Sequence, residues 1–238
     1  MTNFDNKQKA LNVSNLSYCF GTEKVLDDIN FFLHPGEFAV FFGPNGAGKT
    51  TLFSLISRLY YFPKGEIEIY GHSLKKSPVS ALSSMGVVFQ ERTLDQELTV
   101  KQNLSYYLSL KGKDMGDLKM EVATELDRLQ LSQYLDRKVR TLSGGQIRKI
   151  EIARALITQP KILLLDEPTV GLDFISRKEI VNYAHELSKK NGITVLWATH
   201  LIDEIFDSDL VHLLDQGRIV QKEKGARSAK NYFSKEEL

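Results

Sequence analysis

Three short stretches of this 238-residue chain hold residue types at spacings that do chemistry. Residues 43–50 read GPNGAGKT, a match to G-x-x-x-x-G-K-[ST]. Glycines so placed let the backbone curl until successive N–H groups converge on phosphate oxygens. The apolar run Phe38-Ala39-Val40-Phe41-Phe42 precedes the loop, and a helix is expected after it, its positive dipole end at the same point. Lys49 supplies a charge for the β- and γ-phosphates, and Thr50 a hydroxyl for Mg²⁺. Gly43, Pro44, Asn45, Gly46, Ala47, Gly48, Lys49, Thr50 and Thr51 are therefore the expected phosphate contacts. Such a loop implies a nucleoside triphosphate and is silent on how its energy is used.

The second stretch is Ile162-Leu163-Leu164-Leu165 followed by Asp166 and Glu167. A strand apolar on both faces belongs inside a sheet, and ligands sit beyond the carboxyl ends of such strands. Asp166 suits the Mg²⁺ shell, and Glu167 suits the polarisation of an attacking water. The third stretch is Leu142-Ser143-Gly144-Gly145-Gln146, just before a helical pattern. Ser143 is a good N-cap, and the two glycines expose N–H groups at a helix start. This second anion cradle lies about 95 residues beyond the first. One phosphate site does not need two cradles in one chain. A head-to-tail dimer does, each cradle closing the partner's nucleotide.

The elements that must position these stretches are legible from periodicity. Leu11, Val13, Leu16, Tyr18 and Phe20 roughly alternate, residues 25–33 form a second apolar stretch, and Pro35-Gly36 marks a turn. A helix through Leu52, Leu55, Ile56 and Leu59 should follow the phosphate loop. Residues 65–70 alternate as an outer strand would, and Val87-Val88-Phe89 reads as a short buried strand. From about residue 91 to 142 the period becomes helical, with Leu118, Val122, Leu126 and Leu129 on one face. Strands return at 162–165, 194–198 and 211–214, with helices at about 147–157 and 175–188. The pattern predicts an α/β fold: a largely parallel, helix-covered sheet, an N-terminal β region and an inserted helical lobe. A charged, solvated tail is expected from Gln221.

Composition excludes other classes. Apolar residues make up 42% and charged residues 26%, which rules out a disordered chain. Lys and Arg total 31 against 30 for Asp and Glu, so no broad basic field invites nucleic acid, and no nucleic-acid partner is expected. Cys19 is the only cysteine, which excludes an internal disulfide or a cysteine-based zinc site. The opening MTNFDNKQKA has no apolar segment and predicts no secretory leader. No apolar run approaches the ~20 residues that cross a bilayer. The expectation is a cytoplasmic protein that meets a membrane only through a partner.

GPNGAGKT, LSGGQ and ILLLDE, in this order, resemble the ATP-binding subunits of ABC transporters, over about residues 11–220. The resemblance implies one ABC ATPase domain with a P-loop NTPase core and an antiparallel N-terminal β subdomain. Core and subdomain would occupy about 1–90 and 158–220, the helical lobe 91–157 and the tail 221–238. It implies hydrolysis of ATP with Mg²⁺, a membrane permease as partner, a second copy in a head-to-tail dimer, and a place on the inner face of the plasma membrane. Gln90 corresponds to the family's Q-loop glutamine, which reaches Mg²⁺ and the attacking water. His200 corresponds to the switch histidine that holds the γ-phosphate. Glu167, His200, Gln90 and Lys49 form the implied catalytic set, and Thr50, Gln90 and Asp166 the implied metal set. Ser143, Gly144, Gly145 and Gln146 would close the partner's nucleotide, and Asp173 of Gly171-Leu172-Asp173 would cross the dimer interface.

The family's adenine-stacking aromatic precedes a glycine in the first strands, which selects Phe20-Gly21 and leaves Tyr18 to packing. Stacking of ~1–3 kcal/mol recognises a flat base and discriminates little between ATP and GTP. Ile147 departs from the basic residue the family often carries there, which bears on packing of the signature helix. Residues 51–60, 87–104 and 195–205 are similar to a subgroup, the ATP-binding proteins of systems associated with PQQ-dependent alcohol dehydrogenases. Its wider relatives are exporters. Two other readings accompany this one: a soluble ABC ATPase, for instance in iron–sulfur assembly, and a subunit that binds without turnover.

Overall fold

Alternation and apolar runs determine where strands form, and the glycines determine how they connect. The computed structural model describes residues 8–113, 116, 119–227, 229, 230 and 232. Strands β1 (Leu11–Phe20) and β2 (Glu23–Leu33) pair antiparallel across a turn at Gly21, whose φ is 59°. β1 also pairs antiparallel with β4 (Lys64–Ile69), which pairs with β5 (His72–Ser73), giving the order β2-β1-β4-β5. The second sheet holds β3 (Phe38–Phe42), β6 (Met85–Val88), β7 (Ile162–Asp166), β8 (Thr194–Thr199), β9 (Leu210–Asp215) and β10 (Arg218–Lys224). Its order is β10-β9-β3-β8-β7-β6, parallel throughout except for the antiparallel edge strand β10.

Continuous apolar runs make sense in this sheet because both faces are covered. Phe41, Leu164, Leu196 and Ala198 point into a core shared with the antiparallel sheet and with α1 (Lys49–Ile56). Phe42, Leu163, Leu165 and Trp197 point into a second core against α6 (Phe174–Asn191). A third cluster, built from residues between Leu94 and Ile157, joins α3 (Val100–Leu110), α4 (Lys119–Arg128) and α5 (Gly144–Leu156). Ile147 is 4% exposed inside this cluster, so its departure from a basic residue adds to the lobe core. The remaining helix, α2 (Pro78–Ser83), precedes β6.

The turn from β3 into α1 passes so close to β9 that a Cβ on Gly43 would lie 2.0 Å from the Leu214 carbonyl oxygen. Gly43 is required there by space.

Several sequence expectations shift. α1 stops at Ile56, and Leu59 is 59% exposed. Arg58 adopts the left-handed conformation (φ 58°), and the Leu59 N–H donates to the Ser54 carbonyl at 2.8 Å, a helix-terminating pattern usually built on glycine. β6 begins at Met85 and ends before Phe89. The tail expected from Gln221 is the edge strand β10 as far as Lys224, after which Ala226 and Ala229 pack into the second core. Apolar spacing does not reveal an edge strand whose outward residues are charged. Leu118 lies outside the described residues; Val122, Leu126 and Leu129 are buried as expected.

Candidate functional site

Parallel strands place their carboxyl ends on one edge of the sheet. β3 ends at Phe42, paired with Thr199 of β8, and Asp166 of β7 pairs with Ala198. The phosphate loop, Asp166-Glu167 and His200 therefore leave the sheet side by side, with Gln90 two residues beyond β6. A cleft of about 560 Å³ opens there. Asn45, Gly46, Gly48, Lys49, Thr50, Thr51, Gln90, Glu167 and His200 line it, together with Val25 and Val170. Sequence reasoning did not select the two valines, and nothing in their type or spacing marks them.

Gly46 and Gly48 hold φ of 82° and 104°, as a loop curled around an anion requires, and Gly48 caps α1. Lys49 is 4% exposed; its Nζ donates to the carbonyls of Gly43 at 2.8 Å and Pro44 at 2.9 Å. The same Nζ lies 3.2 Å from Glu167 Oε1. Glu167 Oε2 lies 3.3 Å from His200 Nδ1, without hydrogen-bond alignment between them. Glu167 itself adopts a left-handed backbone, φ 44°, a conformation that costs on the order of 1–3 kcal/mol and concentrates at functional sites. Its N–H donates to the Ala198 carbonyl at 3.0 Å, which ties it to β8.

Asp166 is 2% exposed beneath this row. Burial pushes its carboxyl up to about 6, the Glu167 charge adding to the rise while the Thr50 hydroxyl, Lys49 and Arg148 oppose it. Its Oδ1 is buried without a hydrogen-bond partner. An orphaned carboxylate oxygen beside a threonine hydroxyl is a hard-oxygen donor set that fits Mg²⁺.

The loop carrying Gln90 is gripped by α5. Arg148 donates to the carbonyls of Phe89 (2.6 Å) and Gln90 (2.7 Å) and pairs with Glu151 at 2.8 Å. Glu151 accepts from the Thr93 N–H at 2.6 Å and its hydroxyl at 3.1 Å. Arg148 and Glu151 are 6% and 1% exposed. Sequence reasoning missed this grip, although charged residues inside an otherwise apolar helix face are its signal.

Other expected residues lie away from the cleft lining. Ser143 caps α5, its hydroxyl accepting from Gln146 N–H at 3.3 Å while the Gln146 side chain accepts from Ser143 N–H at 2.9 Å. A Cβ on Gly145 would meet Ser176 Oγ at 2.4 Å, and one on Gly144 would meet Arg92 Nη2 at 2.9 Å. The signature motif thus packs beside the first turn of α6, where Asp173 caps the helix by accepting from Ser176 N–H at 2.9 Å. Phe20, 46% exposed, ends β1 in an aromatic trio, 5.0 Å from Tyr18 and 5.5 Å from Tyr60 between ring centres. Tyr18 stacks on Tyr60 at 6.0 Å, in keeping with its packing role.

A phosphate loop between a buried strand and a helix, with an acid pair at the end of a parallel strand one place beyond its neighbour in the sheet, defines a P-loop ATPase. The model of the ABC transporter family matches residues 26–170, so the chain belongs to that family, whose ATP-binding proteins are ATPases. It is 35% identical over 211 residues to the linearmycin resistance ATP-binding protein LnrL of Bacillus subtilis, covering 88% of this chain and 68% of that one. It is 35% identical over 213 residues to the maltose/maltodextrin import ATP-binding protein MalK of Escherichia coli, covering 89% of this chain and 57% of that one. The dimeric post-hydrolysis structure of the cassette MJ0796, bound to ADP and Pi, superposes with a TM-score of 0.78 at 29% identity, covering 90% of this chain and 98% of that one. Among the described residues no helix is long and apolar enough to cross a membrane.

Proposed function

We propose that this ATPase powers a transport system, working head to tail with a second copy and docking on a separate membrane permease at the inner face of the plasma membrane. The observation that carries the reading is the row Lys49, Glu167 and His200, in which Glu167 lies 3.2 Å from the Lys49 Nζ and 3.3 Å from the His200 Nδ1. Lys49 and the backbone N–H groups of residues 45–51 hold the triphosphate, and Phe20 stacks on the base. Thr50, Asp166 and Gln90 hold Mg²⁺, which when bound neutralises charge on the phosphate oxygens. Glu167 draws a proton from water, and His200 orients the γ-phosphate for in-line attack.

The second anion cradle, residues 143–146, lies outside this chain's own cleft lining, which supports a partner copy closing over the nucleotide. The dimeric MJ0796 structure supports the same arrangement. Only a γ-phosphate reaches both cradles, so ATP favours the closed pair and hydrolysis releases it. The loop after Gln90, with Asp173 at the interface, passes that motion to the permease.

Glu167→Gln tests the site. Hydrolysis falls ~10²–10⁴-fold while ATP-dependent dimers accumulate in gel filtration. Normal turnover in that variant removes Glu167 from its role. Lys49→Ala abolishes binding or turnover, and retained ATPase refutes the phosphate-loop assignment.

The narrower reading is an exporter-type system of the kind associated with PQQ-dependent alcohol dehydrogenases. It rests on residues 51–60, 87–104 and 195–205, and the name of the resistance protein LnrL agrees with export. MalK, of an import system, is equally similar in identity. A six-helix permease and a dehydrogenase encoded beside this gene support the narrower reading; a neighbouring solute-binding protein overturns it.

A further inference from the structure

We propose that Glu204 is a positioning residue that locks the loop carrying Glu167 to the strand that leads into His200. Glu204 is 1% exposed in the short turn after His200. Its Oε2 accepts from Trp197 Nε1 at 3.0 Å, and its Oε1 accepts from the Thr169 hydroxyl. Trp197 precedes His200 by three residues on β8, and Thr169 follows Glu167 by two; both are buried, at 0% and 1% exposure. A buried carboxyl group is costly and a leucine would fill the same space, so what its two oxygens supply is the link itself. Both donors to this carboxylate come from the two segments that must agree on where the attacking water and γ-phosphate sit.

A second tie runs parallel to the first. Asp203 lies 3.4 Å from Arg177 Nη1, and the Arg177 N–H donates to the carbonyl of Asp173 at 3.0 Å. The turn after His200 is thereby joined to the start of α6, where Asp173 sits. Glu204 touches no reacting atom. It makes the spacing between Glu167 and His200 a property of one rigid unit, so that displacement of either loop carries the other. The inference rests on the roles of Glu167 and His200 proposed above.

The test uses the full chain, with steady-state MgATP turnover and MgADP binding by calorimetry. Thr169→Val and Glu204→Ala each lower kcat about 10–100-fold, as expected when reacting groups lose registration. KM and MgADP affinity stay within about twofold, because the phosphate loop is untouched. Glu204→Gln recovers most of kcat, since its amide oxygen accepts from Trp197 while its N–H donates to the Thr169 hydroxyl. Emission from Trp197, the chain's sole tryptophan, shifts in Glu204→Ala and returns in Glu204→Gln. Wild-type kcat in a normally melting Thr169→Val overturns the bridge. An equal loss of turnover and nucleotide affinity in all three variants overturns it too, because the role is then only structural. If Glu204→Ala does not fold, Thr169→Val and Glu204→Gln decide. Glu167→Gln in the same assay separates the two claims. Normal turnover there defeats the site reading, whereas a dead Glu167→Gln beside a fully active Thr169→Val defeats only the bridge.

Discussion

His212 shows what burial does to a single titratable side chain that does not line the cleft. It is 1% exposed on β9, and its ring stacks on Phe41 at 4.8 Å and 8° from parallel. Burial pushes its pKa down to about 3, and the Lys222 charge adds to the shift. Below about pH 6.5 the unfolded chain takes up a proton that the folded chain refuses until about pH 3. Stability is therefore full above pH 6.5 and is lost as the pH falls through that interval. Between pH 6.5 and 5 the difference amounts to about 2 kcal/mol. Phenylalanine at this position keeps the stack and removes the proton. Thermal melts across pH 5–7 should fall more steeply for wild type than for His212→Phe, and equal slopes would contradict the assignment.

Among elements, α5 has the most to do. Its N-terminus carries the capped double glycine proposed to close a partner's nucleotide, and one turn later it grips the loop of Gln90 through Arg148 and Glu151. Arg148→Leu leaves Glu151 buried with its cationic partner gone and two carbonyls without their donors. Breaking a buried pair costs about 3–5 kcal/mol. For a chain of this size that lowers the melting temperature by about 6–20 °C. Amide hydrogen exchange should accelerate first at residues 90–94; a uniform change would point to general loosening instead. Gly145→Ala drives a methyl into Ser176 at 2.4 Å and wedges α5 from α6. Nucleotide binding should survive this change while ATP-dependent dimers of Glu167→Gln disappear. The existence of α5 was legible because its cap and glycines are local. Its grip was not, because nothing in the spacing of Arg148 and Glu151 says which loop they meet. The end of α1 was equally hidden: Leu59 continues the apolar period, yet the chain turns at Arg58 through a conformation that no residue pattern there demands.

For the whole molecule the prediction concerns pairing. Phe174 and Ile175, 68% and 70% exposed, sit beside Asp173 at the start of α6. An apolar pair next to the residue expected to cross an interface is suited to burial against a second copy. Ile175→Asp in the Glu167→Gln background should reduce ATP-dependent dimers at least about tenfold, as a charge placed in an apolar contact does. MgADP affinity of the single chain should be unaltered. Dimers that persist unchanged would move the interface elsewhere.

What the sequence by itself determined is the chemistry available. The phosphate loop, the acid pair and the capped double-glycine helix start depend on residues a few positions apart, so type and spacing state them directly. Continuous apolar runs likewise declared the strands buried on both faces. Only the tertiary structure decided the order β10-β9-β3-β8-β7-β6, which inserts β8 between β3 and β7 and so lines up Lys49, Glu167 and His200. It alone joined Glu204 to Trp197 and Thr169. Those contacts link segments far apart in the chain, and which strands become neighbours is set by the packing of the whole sheet, which no local period encodes.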